Sequence, residues 1–280
     1  MTGTVPALSL VFMVLSAMIG FAIPEAAFLY FRLKKRADIL PFFIGCAVMF
    51  LFALVLEALI HQLVLGSAVG ARIQANVWLY ALYGGVMAGL FEETGRLLAF
   101  KTVLKKYQSR DVNALMYGAG HGGIEAAILL GVSMINNLIY SILINTGGIE
   151  KLIAPLPEAA RAQMQTVVQA LISTPSYQFA LGGVERIFAV VLQISLSVLV
   201  WFAVKRAGWR WLFPLAIGLH AVVDALAGIL SGCGVNLFLI EAAVCVMAAL
   251  TALIARVVWN ANAQKDAAPP APQEVPADDA

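Results

Sequence analysis

The chain has 280 residues, of which 61% are hydrophobic and only 12% are charged, and its mean hydropathy is +0.89. A soluble domain averages about 25% charged residues, so the composition excludes an ordinary soluble protein and indicates a multi-pass membrane protein. The net charge of +2 is too small to indicate nucleic-acid binding. Cys46, Cys233 and Cys245 lie in apolar segments without CxxC spacing, which favours neither a disulfide framework nor a zinc knuckle.

Seven apolar segments are long enough to cross a bilayer, which takes about 20 predominantly apolar residues. They cover residues 6–31, 39–66, 76–100, 112–146, 178–203, 212–231 and 234–258. The first has no basic leader or small-residue cleavage site, so we expect it to be retained. The fourth is long for one crossing, and we interpret it as one helix with an outer extension, with a break near Asn136-Asn137 as the alternative. The predicted fold class is therefore an all-α transmembrane helix bundle over residues 1–258.

Two segments are too polar to cross the membrane. Residues 148–176 include a Pro-Glu helix start and predict an amphipathic helix on the outer membrane surface. Residues 259–280 are rich in Pro, Ala and acidic residues, which is typical of a disordered tail. Lys and Arg concentrate in the loops at 32–36, 101–110 and 205–210. The positive-inside rule then predicts an outer N-terminus and a cytoplasmic C-terminus in a bacterial cytoplasmic (inner) membrane.

Ionisable side chains inside the predicted spans are few, and each costs about +2.5 to +3.5 kcal/mol on insertion scales unless it has a partner or faces a cavity. The third span carries three of them, Glu92, Glu93 and Arg96, in the motif EETGR. A single Glu92–Arg96 ion pair would explain one glutamate and leave the other without a partner, so we favour a functional interpretation. The other intramembrane polar residues are Glu25, Glu57, His61, His121, Glu125, Glu185, Arg186, Gln193, His220, Asp224 and Glu241.

Three of these side chains are predicted at one depth in the membrane. Counted from the cytoplasmic helix ends at a rise of ~1.5 Å per residue, Glu92 lies about 13 Å deep, His121 about 14 Å and His220 about 12 Å. His121–Glu125 and His220–Asp224 are i,i+4 pairs, so each pair shares one helix face. An acid one turn away from a histidine can orient the ring or join it as a metal ligand.

The other pairs are predicted to have supporting roles. Glu57 and His61 lie near the outer end of their span, where we expect a structural contact between helices. Glu185 and Arg186 are expected to form a structural or substrate-positioning pair, and Gln193 a hydrogen bond between helices.

Two imidazoles with carboxylates and an open position suit a catalytic Zn²⁺ site. The predicted ligands are His121, His220, Glu125, Asp224 and Glu92. The ion would activate a water molecule, a neighbouring glutamate would take its proton, and the metal or Arg96 would stabilise the oxyanion. In the alternative, the glutamate and a histidine activate water without a metal. Both mechanisms predict peptide-bond hydrolysis in a cavity open to the cytoplasmic leaflet.

Four motifs in order carry a family resemblance: EETGR (92–96), GAGHGGIEA (118–126), GVERI (183–187) and HAVVD (220–224). Together they resemble the YhfC family of intramembrane metalloproteases, within the superfamily of CAAX prenyl proteases and bacteriocin-processing enzymes. The resemblance covers about residues 20–230. The chain has no HExxH, GxSxG or GxGD motif, so it does not resemble site-2-type, rhomboid-like or presenilin-like proteases.

The resemblance implies a role for each matching residue. Glu92 would activate water, Glu93 and Arg96 would complete that motif, and His121 and His220 would be ligands or proton-transfer groups. Asp224 would take the acid or amide position of the last motif.

Two departures from the prenyl-protease pattern argue against prenylated CAAX substrates. Two residues, Thr94 and Gly95, separate Glu93 from Arg96 where the prenyl proteases have three. Tyr117 stands where their second motif has Phe.

The predicted function is therefore hydrolysis of a membrane-associated protein or peptide by an intramembrane metalloprotease with zinc as cofactor. The alternative is a non-catalytic membrane scaffold, because the superfamily also resembles the scaffold subunit of gamma-secretase, or a proton-coupled small-solute transporter. A transporter is expected to show inverted repeats, which this sequence lacks. No feature of the sequence indicates an oligomeric state.

Overall fold

The computed structural model describes residues 3–263, which form helices joined by short loops, with no strand among them. In chain order the helices are α1 (Ala7–Lys34), α2 (Leu40–Leu65), α3 (Ala68–Gln74), α4 (Val77–Lys101), α5 (Val112–Asn145), α6 (Ile149–Ile153), α7 (Glu158–Ser173), α8 (Ser176–Lys205), α9 (Leu212–Gly232) and α10 (Leu237–Asn262). Asn76 and Asn236 begin α4 and α10 by accepting hydrogen bonds from backbone N–H groups of the first turn.

The predicted all-α multi-pass architecture is confirmed. Within residues 3–263, six helices are long and apolar enough to cross a membrane, namely α1, α2, α5, α8, α9 and α10. Helix α4 has 25 residues, but the EETGR motif lowers its hydropathy. Seven crossings and an outer N-terminus therefore stay predictions.

Helix α5 runs without a break through Asn136-Asn137, as the preferred interpretation predicted, with a π-helical stretch at Ala127–Val132. The structure differs from the predicted segments at two other places. Helix α10 continues to Asn262, past the predicted boundary at 258, and the predicted tail from 264 onwards lies outside the described residues. In the predicted surface segment, α7 buries Val168 and Leu171 against the protein itself.

Helix α8 lies at the centre of the bundle. Of its most apolar stretch 67% is buried, against at most 28% for the other five apolar helices, so α8 is covered by protein on most sides. It packs against α5, α10, α1, α9 and α4. Any polar side chain in the middle of α8 must therefore find its partners inside the protein.

Glycines bring the helices that carry the polar motifs unusually close together. A Cβ added to Gly120 of α5 would overlap the carbonyl oxygen of Phe42 in α2, and one added to Gly89 of α4 would lie 2.7 Å from the carbonyl oxygen of Ile217 in α9. Small residues at such crossings allow the helix backbones to touch. The EETGR motif and both histidine motifs are thereby drawn into one region.

The close contact at Gly120 predicts a packing defect in a Gly120→Ala variant. The added methyl group meets backbone rather than a movable side chain, so we expect the free energy of unfolding to fall by about 1–3 kcal/mol. A Gly218→Ala variant is the control, since a Cβ there meets no atom within 4 Å. That variant should be unchanged or gain up to about 1 kcal/mol from helix propensity. Unfolding of the purified variants in mixed micelles, followed by circular dichroism, measures both. Equal stability of the two variants would contradict the packing account.

Candidate functional site

Glu92, His121 and His220 meet in the middle of the bundle. The Nε2 atom of His121 lies 2.8 Å from the Oε2 atom of Glu92, and the Nε2 atom of His220 lies 3.9 Å from the same oxygen. All three side chains are buried. The structure thus brings together the three residues that were predicted at one depth.

Arg96 pairs with Glu93 rather than with Glu92. Its Nη1 atom donates to Oε1 of Glu93, one turn earlier on α4, and both side chains are fully buried. The purely structural alternative, a single Glu92–Arg96 ion pair, does not form, and neither glutamate is left without a partner. Glu92 is instead bound by side chains from other helices.

The hydrogen bonds of His220 determine which of its nitrogens carries a proton. Oε1 of Glu93 accepts from Arg96 and lies 2.8 Å from Nδ1 of His220, so Nδ1 is the donor. The Nε2 atom then faces Glu92 at 3.9 Å and Oδ2 of Asp224 at 3.5 Å. A histidine held in this way by a carboxylate is oriented for proton transfer or metal binding through Nε2.

Gln193 of the central helix α8 is the residue whose role was underestimated from sequence. Its Oε1 atom lies 2.5 Å from Nη2 of Arg96, which can only donate, so the oxygen of the amide faces Arg96. Its Nε2 atom therefore donates to Oε2 of Glu92 and to Oε2 of Glu125, each at 2.9 Å. One amide thus links three charged side chains. The feature of the sequence that could have indicated this role is an amide side chain in the middle of a strongly apolar span.

Glu125 is bound by Arg186 and does not touch His121, although the two share a helix face. Nη1 of Arg186 donates to Oε1 of Glu125 at 2.9 Å, and Nη2 donates to Oε1 of Glu185. Arg186 and Gln193 bind the two oxygens of the Glu125 carboxylate. Glu125 is therefore not the hydrogen-bond partner of His121 that the sequence predicted. The Glu185–Arg186 pair forms as expected and extends the polar network away from Glu92.

Glu57 and His61 form a separate contact. Nε2 of His61 lies 3.1 Å from Oε1 of Glu57, and its Nδ1 lies 2.9 Å from the hydroxyl of Tyr83 on α4. The bond to Tyr83 joins α2 to α4, which agrees with the structural contact between helices that the sequence predicted.

A small cavity of about 100 Å³ lies against this cluster. Its polar walls are Glu92, Glu125, Glu185, Arg186, Gln193, His220 and Asp224, and apolar side chains of α8, α9 and α10 complete it. The Asp224 side chain is 41% exposed, whereas His220 beside it is buried. Glu93, Arg96 and His121 do not line this cavity. Glu93 and Arg96 can act on a bound molecule only through the side chains that they hold.

Aromatic packing closes the end of the bundle that carries the basic loops. The ring of Phe100 lies 4.6 Å from that of Tyr117 and 5.1 Å from that of Trp201, centre to centre, and all three side chains are fully buried. The cavity instead extends toward the other end, since Glu125 and Asp224 lie further from the basic loops along their helices than the two histidines. This differs from the expected opening to the cytoplasmic leaflet.

The donor types at the site fit a zinc ion, since zinc is bound by imidazole and carboxylate. His220 offers a free Nε2 atom beside Glu92 and Asp224. His121 is engaged differently, because Oε2 of Glu92 already accepts from Gln193 and so its bond with His121 has Nε2 as the donor. Within residues 3–263, no three His, Cys, Asp or Glu side chains are arranged as ligands of one ion. Ligation through Nε2 of His121 would therefore replace its hydrogen bond to Glu92.

Comparison with known proteins identifies the family. The family model described as YhfC intramembrane metalloprotease matches residues 17–245, which include all four motifs of the site. The chain belongs to the YhfC family. It is also 38% identical over 222 residues, covering 78% of this chain and 84% of the relative, to a protein of Bacillus subtilis (strain 168) named uncharacterized membrane protein YhfC. No solved structure matches the chain.

The linking role of Gln193 predicts a large stability loss when its amide is removed. In a Gln193→Leu variant, Glu92, Glu125 and Arg96 each lose a buried partner, and an unmet buried polar group costs about 1–3 kcal/mol. We expect a lower thermal midpoint in detergent, while the control Gln62→Leu, at an exposed site on α2, should keep its midpoint. Equal midpoints for the two variants would show that the amide does not hold the network.

Proposed function

We propose that this YhfC-family chain hydrolyses a peptide bond of a membrane-associated protein or peptide, with Glu92 as the base that activates water. The observation that carries the proposal is that Glu92, and not Glu93, lines the small cavity while contacting both histidines. A base must reach the proton that it removes, and of the two glutamates of EETGR only Glu92 meets that condition. The family's printed description, an intramembrane metalloprotease, supports the same reaction class.

In this proposal, a water molecule in the small cavity gives a proton to Glu92, and its oxygen attacks the carbonyl carbon of the substrate. Glu92 then passes the proton to the nitrogen that leaves, so the C–N bond breaks and a carboxyl and an amine are formed. His121 and Gln193 hold Glu92 in place, because both donate to its Oε2 atom. Glu93 and Arg96 orient His220 and Gln193 without facing the cavity.

A positive side chain is needed near the oxygen that becomes negative during the attack. Arg96 was the sequence-based candidate, but it is fully buried behind Glu93 and Gln193 and does not line the cavity. Arg186 does line it, held by Glu125 and Glu185. We therefore assign substrate positioning and charge stabilisation at the cavity to Arg186.

The metal implied by the family's description would be held by His121 and His220 with the carboxylates of Glu92 and Asp224. A zinc ion supplies a more acidic bound water and a Lewis acid for the carbonyl oxygen. Glu93 has the same role with or without a metal ion: it accepts a hydrogen bond from Nδ1 of His220, which leaves Nε2 of His220 free.

The surroundings of the site are those of a multi-pass membrane protein, with apolar side chains of the spanning helices exposed to lipid. We propose the bacterial cytoplasmic membrane as its location, with the basic loops in the cytoplasm. A closed aromatic layer on that side then leaves the substrate to approach from the outer half of the membrane.

A Glu92→Gln variant is expected to lose at least about 100-fold in cleavage rate, because a general base contributes about 10²–10⁴-fold. The protein is reconstituted into liposomes with membrane proteins extracted from cells that lack it, and new peptide termini are mapped by mass spectrometry. Glu25→Gln is the matched control, since this glutamate is exposed on α1 away from the cluster.

Both glutamine variants should retain the wild-type thermal midpoint within a few degrees, so that a loss of cleavage reports on chemistry. Termini produced equally by the Glu92→Gln variant and by wild type would refute the role of Glu92. Absence of any termini that depend on the wild-type protein would leave the non-catalytic scaffold or the transporter as the function.

Metal content tests the zinc site separately. Wild type purified without chelators should carry about one zinc per chain, since a site of two histidines and a carboxylate is typical of catalytic zinc. A His121→Ala/His220→Ala double variant should carry almost none, while His61→Ala, outside the cluster, should match wild type. Elemental analysis by mass spectrometry gives these ratios, and equal zinc in wild type and the double variant would remove the proposed site.

A further inference from the structure

A second, larger cavity of about 720 Å³ lies beside the small one, between α2, α4 and α9. We call it the access chamber. Side chains that line it include His61, Tyr80, Tyr83, Asp224 and Ser231, and the backbone at Gly84 forms part of its wall. Its volume falls within the range of about 300–1,000 Å³ that is usual for ligand sites.

Asp224 connects the access chamber to the site that contains Glu92. Its side chain lines both cavities and is 41% exposed, although its Oδ2 atom lies only 3.5 Å from Nε2 of the buried His220. A molecule in the chamber that reaches past Asp224 therefore meets His220 and Glu92. Asp224 is the lining residue that the two cavities share, and His220 and Glu92 lie on the side of it that faces the small cavity.

The mouth of the chamber lies at the end of the bundle opposite the basic loops. Leu65 and Gly232 are the last residues of α2 and α9, Val77 is the first residue of α4, and all three line the chamber. Gly232 lies eight residues beyond Asp224, so the chamber reaches roughly 12 Å from the mouth to Asp224 at ~1.5 Å per residue. At the other end of the bundle, the rings of Phe100, Tyr117 and Trp201 pack α4, α5 and α8 together.

We propose that the access chamber binds an extended stretch of the substrate polypeptide next to the bond that is cut, and that the substrate enters from the end opposite the basic loops. This inference rests on the proposed hydrolysis at Glu92. An attacked peptide bond must be outside a helix, and extended backbone at membrane depth needs hydrogen-bonding partners from the protein or from water in a cavity.

The chamber walls offer such partners. Tyr80 and Tyr83 lie on one helical stretch of α4, Ser231 lies near the end of α9, and His61 faces them from α2, where it is joined to the Tyr83 hydroxyl. Hydroxyl, imidazole and carboxylate groups can donate to or accept from backbone amides, whereas a lipid acyl chain would use none of them. Continuity with the polar cavity at Asp224 also favours a peptide over a lipid tail.

Gly84 allows the chamber to be filled without disturbing the fold. A Cβ added at Gly84 meets no atom within 4 Å, and the residue lines the chamber. A Gly84→Trp side chain would project into the open volume and occupy the path of the peptide. Gly218→Trp is the matched control, because Gly218 of α9 is exposed, meets no atom within 4 Å of an added Cβ and lies outside both cavities.

The first readout is cleavage in the liposome assay with mapped termini. We expect Gly84→Trp to reduce the yield of wild-type termini by roughly tenfold or more, since an aromatic side chain of this size buries 150–250 Å². Gly218→Trp should cleave like wild type, and both variants should have wild-type thermal midpoints. If Glu92→Gln loses cleavage but Gly84→Trp keeps it, the chamber inference is wrong while the proposed function stands. If Glu92→Gln also cleaves, or wild type yields no termini, the proposed function fails and this inference fails with it.

The second readout is binding without hydrolysis. A synthetic fluorescent peptide spanning the mapped cleavage site is titrated against the Glu92→Gln variant, alone and combined with Gly84→Trp or Gly218→Trp. The inference expects roughly tenfold weaker binding only for the Gly84→Trp combination. Equal binding of all three proteins overturns it. Competition by phospholipid vesicles alone, with the peptide displaced to the same extent from every variant, would assign the chamber to lipid and also overturn it.

Discussion

The two adjacent glutamates of α4 can stay in an apolar bundle because each is matched to a different set of donors. Glu93 faces Arg96 and His220, whereas Glu92 faces His121 and Gln193. An unmatched carboxylate at this depth would be costly, since charged groups in the membrane interior need partners or water. Four helices therefore pack around the motif of α4, because α5, α8 and α9 supply donors while α2 and α9 contact glycines of the motif helices.

The amide of Gln193 connects the hydrogen-bond partners of Glu93 with those of Glu92. Its oxygen can only face Arg96, and its two N–H groups then reach Glu92 and Glu125, so the orientation of the amide follows from donors and acceptors alone. Through Gln193 and Glu125, the Glu92–Glu93 pair is connected to Arg186 on the side of the cavity away from the basic loops. Glu92 and Arg186 are thus parts of one hydrogen-bond network, joined through Gln193 and Glu125.

The sequence predicted the depth of the site well and its pairing less well. Depth follows from helix rise and loop charge, so Glu92, His121 and His220 could be placed at one level without any knowledge of packing. Pairing depends on how each helix is rotated about its axis, which i,i+4 spacing does not determine. His121 therefore contacts Glu92 on another helix rather than Glu125, while His220 and Asp224 remain close because both side chains lie on the same face of α9. Within α4, Arg96 pairs with Glu93 rather than with Glu92, which the spacing alone did not determine either.

The direction of access was harder to predict for a related reason. A membrane helix shows no hydrophobic contrast between the side that closes a cavity and the side that faces lipid, because both are apolar. The closed end is formed by Phe100, Tyr117 and Trp201, which come from three helices and would each read as an ordinary apolar residue of a span. The open end is marked by glycine and polar side chains near helix ends, which in sequence look like loop-proximal residues. Asp224 is the residue that lines both cavities, so the exposed carboxylate of α9 lies between the open end and the buried side chains of Glu92 and His220.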